Sequence, residues 1–157
     1  MKVALILVLA LTACEKTNDV AALRDEATTV AKYYQPKVDE LNHRIEMIFQ
    51  HGKTIPAGLL GIKDTSAVLE KARSKLVEMH KAVTPGPDGK SSIEAQADTA
   101  AKSGNQMELE KLIDDSQETL EVDATETADA LATVEAWLSQ AEIVAANAPA
   151  AKPTPTP

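Results

Sequence analysis

The 157-residue chain is short of most of the groups that build a chemical site. It has one cysteine, Cys14, so it can form neither an intramolecular disulfide nor a cysteine-based zinc centre. Aromatic residues make up 3%, with Trp137 the sole tryptophan and Phe49 the sole phenylalanine, and glycines number 6. A β-sandwich or barrel needs aromatic and β-branched strands punctuated by frequent turns, so that class is excluded. Basic residues are also in deficit: 16 Lys and Arg face 24 Asp and Glu, a formal charge of −8. Nucleic-acid binding calls for a basic footprint that this chain lacks. The longest apolar run, residues 3–11, falls well short of the roughly 20 residues that span a bilayer. The length fits one domain.

What is present begins at the N-terminus. Lys2 precedes the 3–11 run, which has the size of a signal-peptide core. Leu11-Thr12-Ala13-Cys14 follows directly. The succession of basic residue, apolar run, aliphatic residue, two small residues and cysteine resembles the type II signal peptide and lipobox of bacterial lipoprotein precursors. The resemblance covers this segment alone. It implies that residues 1–13 are a signal peptide, cut before Cys14, and that the sulfur and amino group of Cys14 are acylated. It also implies two or three acyl chains, and two or more hold a protein stably on a bilayer where one does not. Glu15, not Asp, comes next. In Gram-negative members of the family Asp there tends to retain the protein in the inner membrane. The resemblance therefore implies an outer-membrane, periplasm-facing anchor if the source is Gram-negative. Residues 15–18 make a tether of about 14 Å at most, at about 3.5 Å per residue. Acylation would also leave no free thiol in an oxidising compartment.

The remaining chain alternates helical periodicity with strong punctuation. Val20, Leu23, Ala27, Val30, Tyr34, Val38, Leu41, Ile45 and Ile48 recur at three or four residues, one stripe of a helix from about 19 to 50. Asn18 or Asp19 can cap it. Pro36 removes the bond to the Lys32 carbonyl, which predicts a kink or two abutting helices. Gly52 can close the helix in a left-handed conformation. Residues 53–63 form an apolar loop with Ile55, Leu59, Leu60 and Ile62, expected to pack over one end of the bundle; the alternative is an exposed partner-binding or membrane-dipping patch. A second helix is predicted over 65–83, with Asp64 as cap and Leu69, Ala72, Leu76, Met79 and Val83 as its stripe. Pro85-Gly86-Pro87-Asp88-Gly89 is the clearest turn. Ser91 and Glu94 make a capping box for a short third helix. Gly104 either ends that helix, with Asn105 and Glu108 starting the next, or is tolerated within one long helix. The last helix, from about 106 to 147, carries Leu109, Leu112, Ser116, Leu120, Ala124, Thr127, Leu131, Val134, Leu138, Ala141 and Ala145 at a mean spacing of 3.6. At 1.5 Å per residue it should extend about 63 Å and overhang the second helix, at about 28 Å. Residues 148–157, with alternating prolines, read as a disordered, extended tail.

Charge is segregated. Residues 15–83 hold 11 basic and 10 acidic residues, whereas 84–157 hold 4 basic and 14 acidic. On the last helix Glu110, Asp114, Glu118 and Glu121 fall 4, 4 and 3 apart as an acidic ridge, each like-charged pair costing roughly 0.2–0.5 kcal/mol in an isolated helix. Lys71, Arg73 and Lys75, or Lys32, Lys37 and Arg44, are the candidates to offset it. Otherwise the ridge is a solvated face, or a site for a basic partner or divalent cations.

Catalytic motifs are missing: there is no phosphate-cradling glycine loop and no nucleophile elbow. Glu40 and His43 have the Glu-x-x-His spacing of di-iron bundles, but those need two such motifs and two further Glu. His43, His51 and His80 read as exposed or helix-end residues. Met47, Met79 and Met107 read as core filler, and Tyr33, Tyr34 and Trp137 as core or rim rather than groove lining.

The sequence thus predicts an all-α, elongated antiparallel bundle of three or four helices with a long C-terminal helix. Residues 1–13 are read as signal peptide, 14–18 as lipidated cysteine and tether, 19–147 as bundle, and 148–157 as tail. The expected function is non-enzymatic: a membrane-anchored helical scaffold or protein-interaction module, coiled-coil in character, in the bacterial cell envelope. Its expected partners are membrane lipid through Cys14 and either an envelope protein or a second copy, with no cofactor beyond the lipid. The alternative is a metal- or small-ligand-binding bundle in the periplasm.

Overall fold

A computed structural model describes residues 20–53 and 62–147. The signal segment, Cys14 with its tether, the loop over 54–61 and the proline-rich tail lie outside the described residues. The described residues form four helices and no strand: α1 (Val20–Gly52), α2 (Ile62–Val83), α3 (Ser92–Ser103) and α4 (Gln106–Asn147). No described helix is long and apolar enough to cross a membrane.

Apolar periodicity sets which face of each helix is buried. On α1 the buried residues Ala27, Ala31, Tyr34, Val38, Leu41, Ile45 and Ile48 alternate steps of 4 and 3. On α4, Leu120, Ala124, Thr127, Leu131, Val134, Leu138 and Ala141 do the same. A repeat of 3.5 keeps one seam facing its neighbours along the rod, the packing logic of a left-handed coiled coil. Ala72, Leu76, Met79 and Val83 of α2 and Ile93, Ala97 and Ala100 of α3 complete the core. Near the start of α4 Leu109 is buried as expected, but the next buried residue is Ile113, with Leu112 and Ser116 only half-buried. Met79 is buried, but Met47 and Met107 are exposed, contrary to the expectation that all three fill the core.

Three boundaries differ from expectation. Proline 36 sits on the exposed side of α1, which runs through it as one helix rather than two. Gly52 remains helical, without a positive φ. α2 begins at Ile62, so Asp64 falls inside its first turn rather than at the cap.

The helix ends that the sequence marked most clearly are built as the chemistry requires. Ser91 Oγ accepts from the Glu94 amide at 3.3 Å, and the Glu94 carboxylate accepts from the Ser91 amide at 2.7 Å. Gly104 takes a left-handed conformation (φ 68°) and its neighbour Asn105 caps α4, its Oδ1 accepting from the Glu108 amide at 3.2 Å. Gly104 therefore separates two helices.

Side-chain pairings fix the direction of each helix. Tyr34, Arg44 and His51 of α1 meet Glu121, Glu135 and Glu142 of α4 in order, so these two long helices run the same way. Lys75 meets Asp123 and Glu126, while Leu69 lines a groove with Val134 and Leu138, so α2 runs against α4. Across the tight Gly104 turn α3 also runs against α4. The hairpins α1–α2 and α3–α4 thus reverse the chain as expected, whereas the α2–α3 junction does not. The turn around Gly89 (φ 77°) closes with a Gly86 amide to Lys90 carbonyl bond of 2.8 Å. The chain then resumes its direction. At 1.5 Å per residue α4 extends about 63 Å and α2 about 33 Å, and α3 covers the stretch of α4 that α2 leaves bare. The result is three columns: α1, α4, and α2 continued by α3.

Candidate functional site

The long α4 helix carries 11 of the 24 acidic residues of the chain, and its two flanks treat that acid differently. On the flank facing α1, Glu121 accepts from Lys37 at 3.2 Å and from the Tyr34 hydroxyl at 3.0 Å. Glu135 takes two bonds from the Arg44 guanidinium, at 2.9 and 3.1 Å, and Glu142 lies 2.5 Å from His51 Nε2. On the flank facing α2, Lys75 reaches both Asp123 (2.5 Å) and Glu126 (2.7 Å). At the other end Asp98 of α3 joins Arg24 of α1 (2.5 Å) and Lys90 of the preceding turn.

These contacts shift the groups involved. Bonds from Lys90 and Arg24 hold the Asp98 carboxyl below the usual carboxylate range, and Lys75 does the same for Glu126. Burial pushes Glu121 up, but the bonds from Lys37 and Tyr34 outweigh it and leave its carboxyl low. Burial, then the bond to Glu121, pushes the Tyr34 hydroxyl up. Lys37 also lies 4.9 Å from the ring centroids of both Tyr33 and Tyr34, which pack edge to face. Cation–ring attraction therefore adds to its pairing with Glu121.

The sequence-marked ridge is divided by this arrangement. All four of its members are exposed. Glu121 is bound to α1, while Glu110, Asp114 and Glu118 make no ion pair among the described residues. Of the six basic candidates, Lys37, Lys75 and Arg44 do pair with α4, but only Lys37 pairs with a ridge residue. Sequence reasoning missed Asp123, Glu126, Glu135 and Glu142. One signal was available: Lys37, Arg44 and His51 repeat every 7 residues, as do Glu135 and Glu142, the spacing of charges that flank a heptad seam.

Other candidates place as follows. His43 and His80 are exposed, and Tyr33 and Trp137 lie at the rim with Tyr34 buried. No three His, Cys, Asp or Glu among the described residues converge on a point that could hold a metal ion. The grooves are open. One of about 310 Å³ lies where α2 gives way to α3, lined by Met79, Ile93, Ser116 and Leu120. Another of about 340 Å³ lies between α2 and α4, lined by Lys71, Lys75, Glu126 and Thr127. The Thr127 hydroxyl is buried without a hydrogen-bond partner. No protein-family model, curated protein or solved structure matches the chain.

Proposed function

We propose that the protein is a lipid-anchored, non-enzymatic helical scaffold of a bacterial cell envelope. The observation that carries this reading is Leu11-Thr12-Ala13-Cys14 directly after a short apolar run. Acylated at Cys14, the chain needs no membrane-spanning helix to stay on a bilayer. The position of α1 supports the reading: Val20 opens it six positions after Cys14, so the anchor holds one end of the rod. With α1 about 50 Å long, the C-terminal end of α4 lies about that far or further from the end of the rod that the anchor holds. Residues 148–157 continue from that distant end. A rod whose side chains are spent on core packing and on ion pairs between helices suits holding and spacing a partner rather than turning over a substrate. Glu15 supports the outer membrane, facing the periplasm, in a Gram-negative source.

Metabolic labelling with a palmitate analogue tests this. Label should enter the protein and should be lost in Cys14→Ser; a mature protein that carries none refutes the anchor.

A further inference from the structure

The third column of the rod is made of two helices, and the place where one replaces the other leaves a gap. α2 ends at Val83 and α3 starts at Ser92. Between these ends and α4 lies the open groove of about 310 Å³. Its floor is apolar: Met79 of α2, Ile93 of α3, and Leu112 and Leu120 of α4. Leu112 is only half-buried, because the column it packs against changes helix there. The rim is acidic. Glu78 and Asp115 stand exposed on it and make no ion pair among the described residues, while Asp123 is held by Lys75. No basic side chain lines the groove. Lys81 and Lys111, about one turn away on the same helices, pair with neither Glu78 nor Asp115. Further along α4 the acid is taken up: Glu121, Glu126 and Glu135 each have a Lys or Arg partner. Beside the groove it is not, for α3 brings Lys102 as its sole basic residue.

We infer that this groove seats a lysine or arginine side chain from a basic segment of a partner protein. Such side chains lay an aliphatic stem on apolar surface and keep the charged head at its edge. An apolar floor bounded by unpaired carboxylates answers both halves. The complementarity extends past the groove, because Glu110, Asp114 and Glu118 are exposed and unpaired on the adjoining face of α4. A segment with several cations meets all of them, whereas a small amine meets the rim alone, so the charge favours the segment. A divalent cation fits less well, since no three carboxylates among the described residues converge on a point. The inference deepens the scaffold reading and rests on it for there being a partner to hold.

Fluorescently labelled octalysine, titrated with the full chain in about 0.15 M salt and followed by anisotropy, tests this. At that ionic strength charges further apart than roughly 8 Å are largely screened, so close contacts decide the affinity. Binding should saturate. Glu78→Gln with Asp115→Asn should weaken it about tenfold, the loss of two ion pairs. Asp39→Asn with Glu46→Gln, the same change of charge at exposed positions of α1, should leave it within about twofold. Thr119→Trp, at the exposed edge of the groove, keeps the charge but covers the floor, and should weaken binding about as much as the first pair. All these positions are exposed, so far-UV circular dichroism should be unchanged. The inference is overturned if octalysine does not bind saturably, if the two double variants bind alike, or if Thr119→Trp binds as the parent does. Spermidine binding as tightly as octalysine would overturn it in favour of a small amine, and displacement of the peptide by equimolar calcium in favour of a metal. The assay needs no membrane, so its failure leaves the acylation of Cys14 untouched, and palmitate labelling reads the anchor separately.

Discussion

Thr127 occupies a heptad core position with its hydroxyl sealed from water and unpartnered. Valine has nearly the same shape without the polar atom. Leaving such a group unsatisfied costs about 1–3 kcal/mol. Thr127→Val should therefore raise the melting temperature by several degrees, and a thermal melt that shows no rise or a fall would mean that the hydroxyl is satisfied. The paired carboxylates act through pH. Asp98, Glu121 and Glu126 are all held low in the folded state. The stability they contribute is present above the ordinary carboxylate range and is lost as pH falls through their folded-state values. Melting temperature should hold steady from about pH 5 to pH 8 and drop below about pH 4.5. Glu121→Gln should flatten part of that drop. Tyr34 has the opposite sign: its hydroxyl is held neutral, so its contribution is lost as pH rises beyond about 10, where the unfolded chain ionises.

At the scale of the helix, α1 is continuous through a residue that cannot donate to the Lys32 carbonyl. A proline inside a helix costs about 3 kcal/mol relative to alanine. The residue is exposed, so replacing it removes little packing. Pro36→Ala should stabilise the fold by about 1–3 kcal/mol in denaturant unfolding; a loss of stability would show that proline geometry shapes the seam. Most of the stripe of α1 from Val20 to Ile48 was legible, because a helix of 33 residues repeats its pattern many times, although the buried Ala31 was not marked and Val20 and Leu23 are only partly buried. The caps at Ser91 and Asn105 were legible because their hydrogen bonds are local. Ile113 in place of Leu112 was not: α4 changes neighbour from α3 to α2 along its length, and the buried line shifts with the neighbour. Nor were the pairs of Arg44 with Glu135 and Lys75 with Asp123. They depend on α1 and α4 running parallel, which follows from a junction at residues 84–91 that redirects the chain without reversing it. Turn residues reveal that a helix stops, not where the next one points. Of the acidic ridge, the spacing was legible but not the binding of Glu121 to α1, which needs the seam to be known.

For the whole molecule, charge and shape are arranged along one axis. One end carries the start of α1 and the α3–α4 turn, with the acidic half of α4 close by. The other carries an uncharged, partly apolar helix face. Such polarity suits a rod fixed at one end, the arrangement a lipid on Cys14 would create. Fractionation of cells that produce the parent chain or Cys14→Ser is the most direct measurement of this arrangement. The parent chain should sediment with the membranes and resist high salt. Cys14→Ser should either appear in the soluble fraction or remain unprocessed at the mass of the full precursor. A mature Cys14→Ser protein that stays on the membranes as firmly as the parent would contradict the lipid anchor.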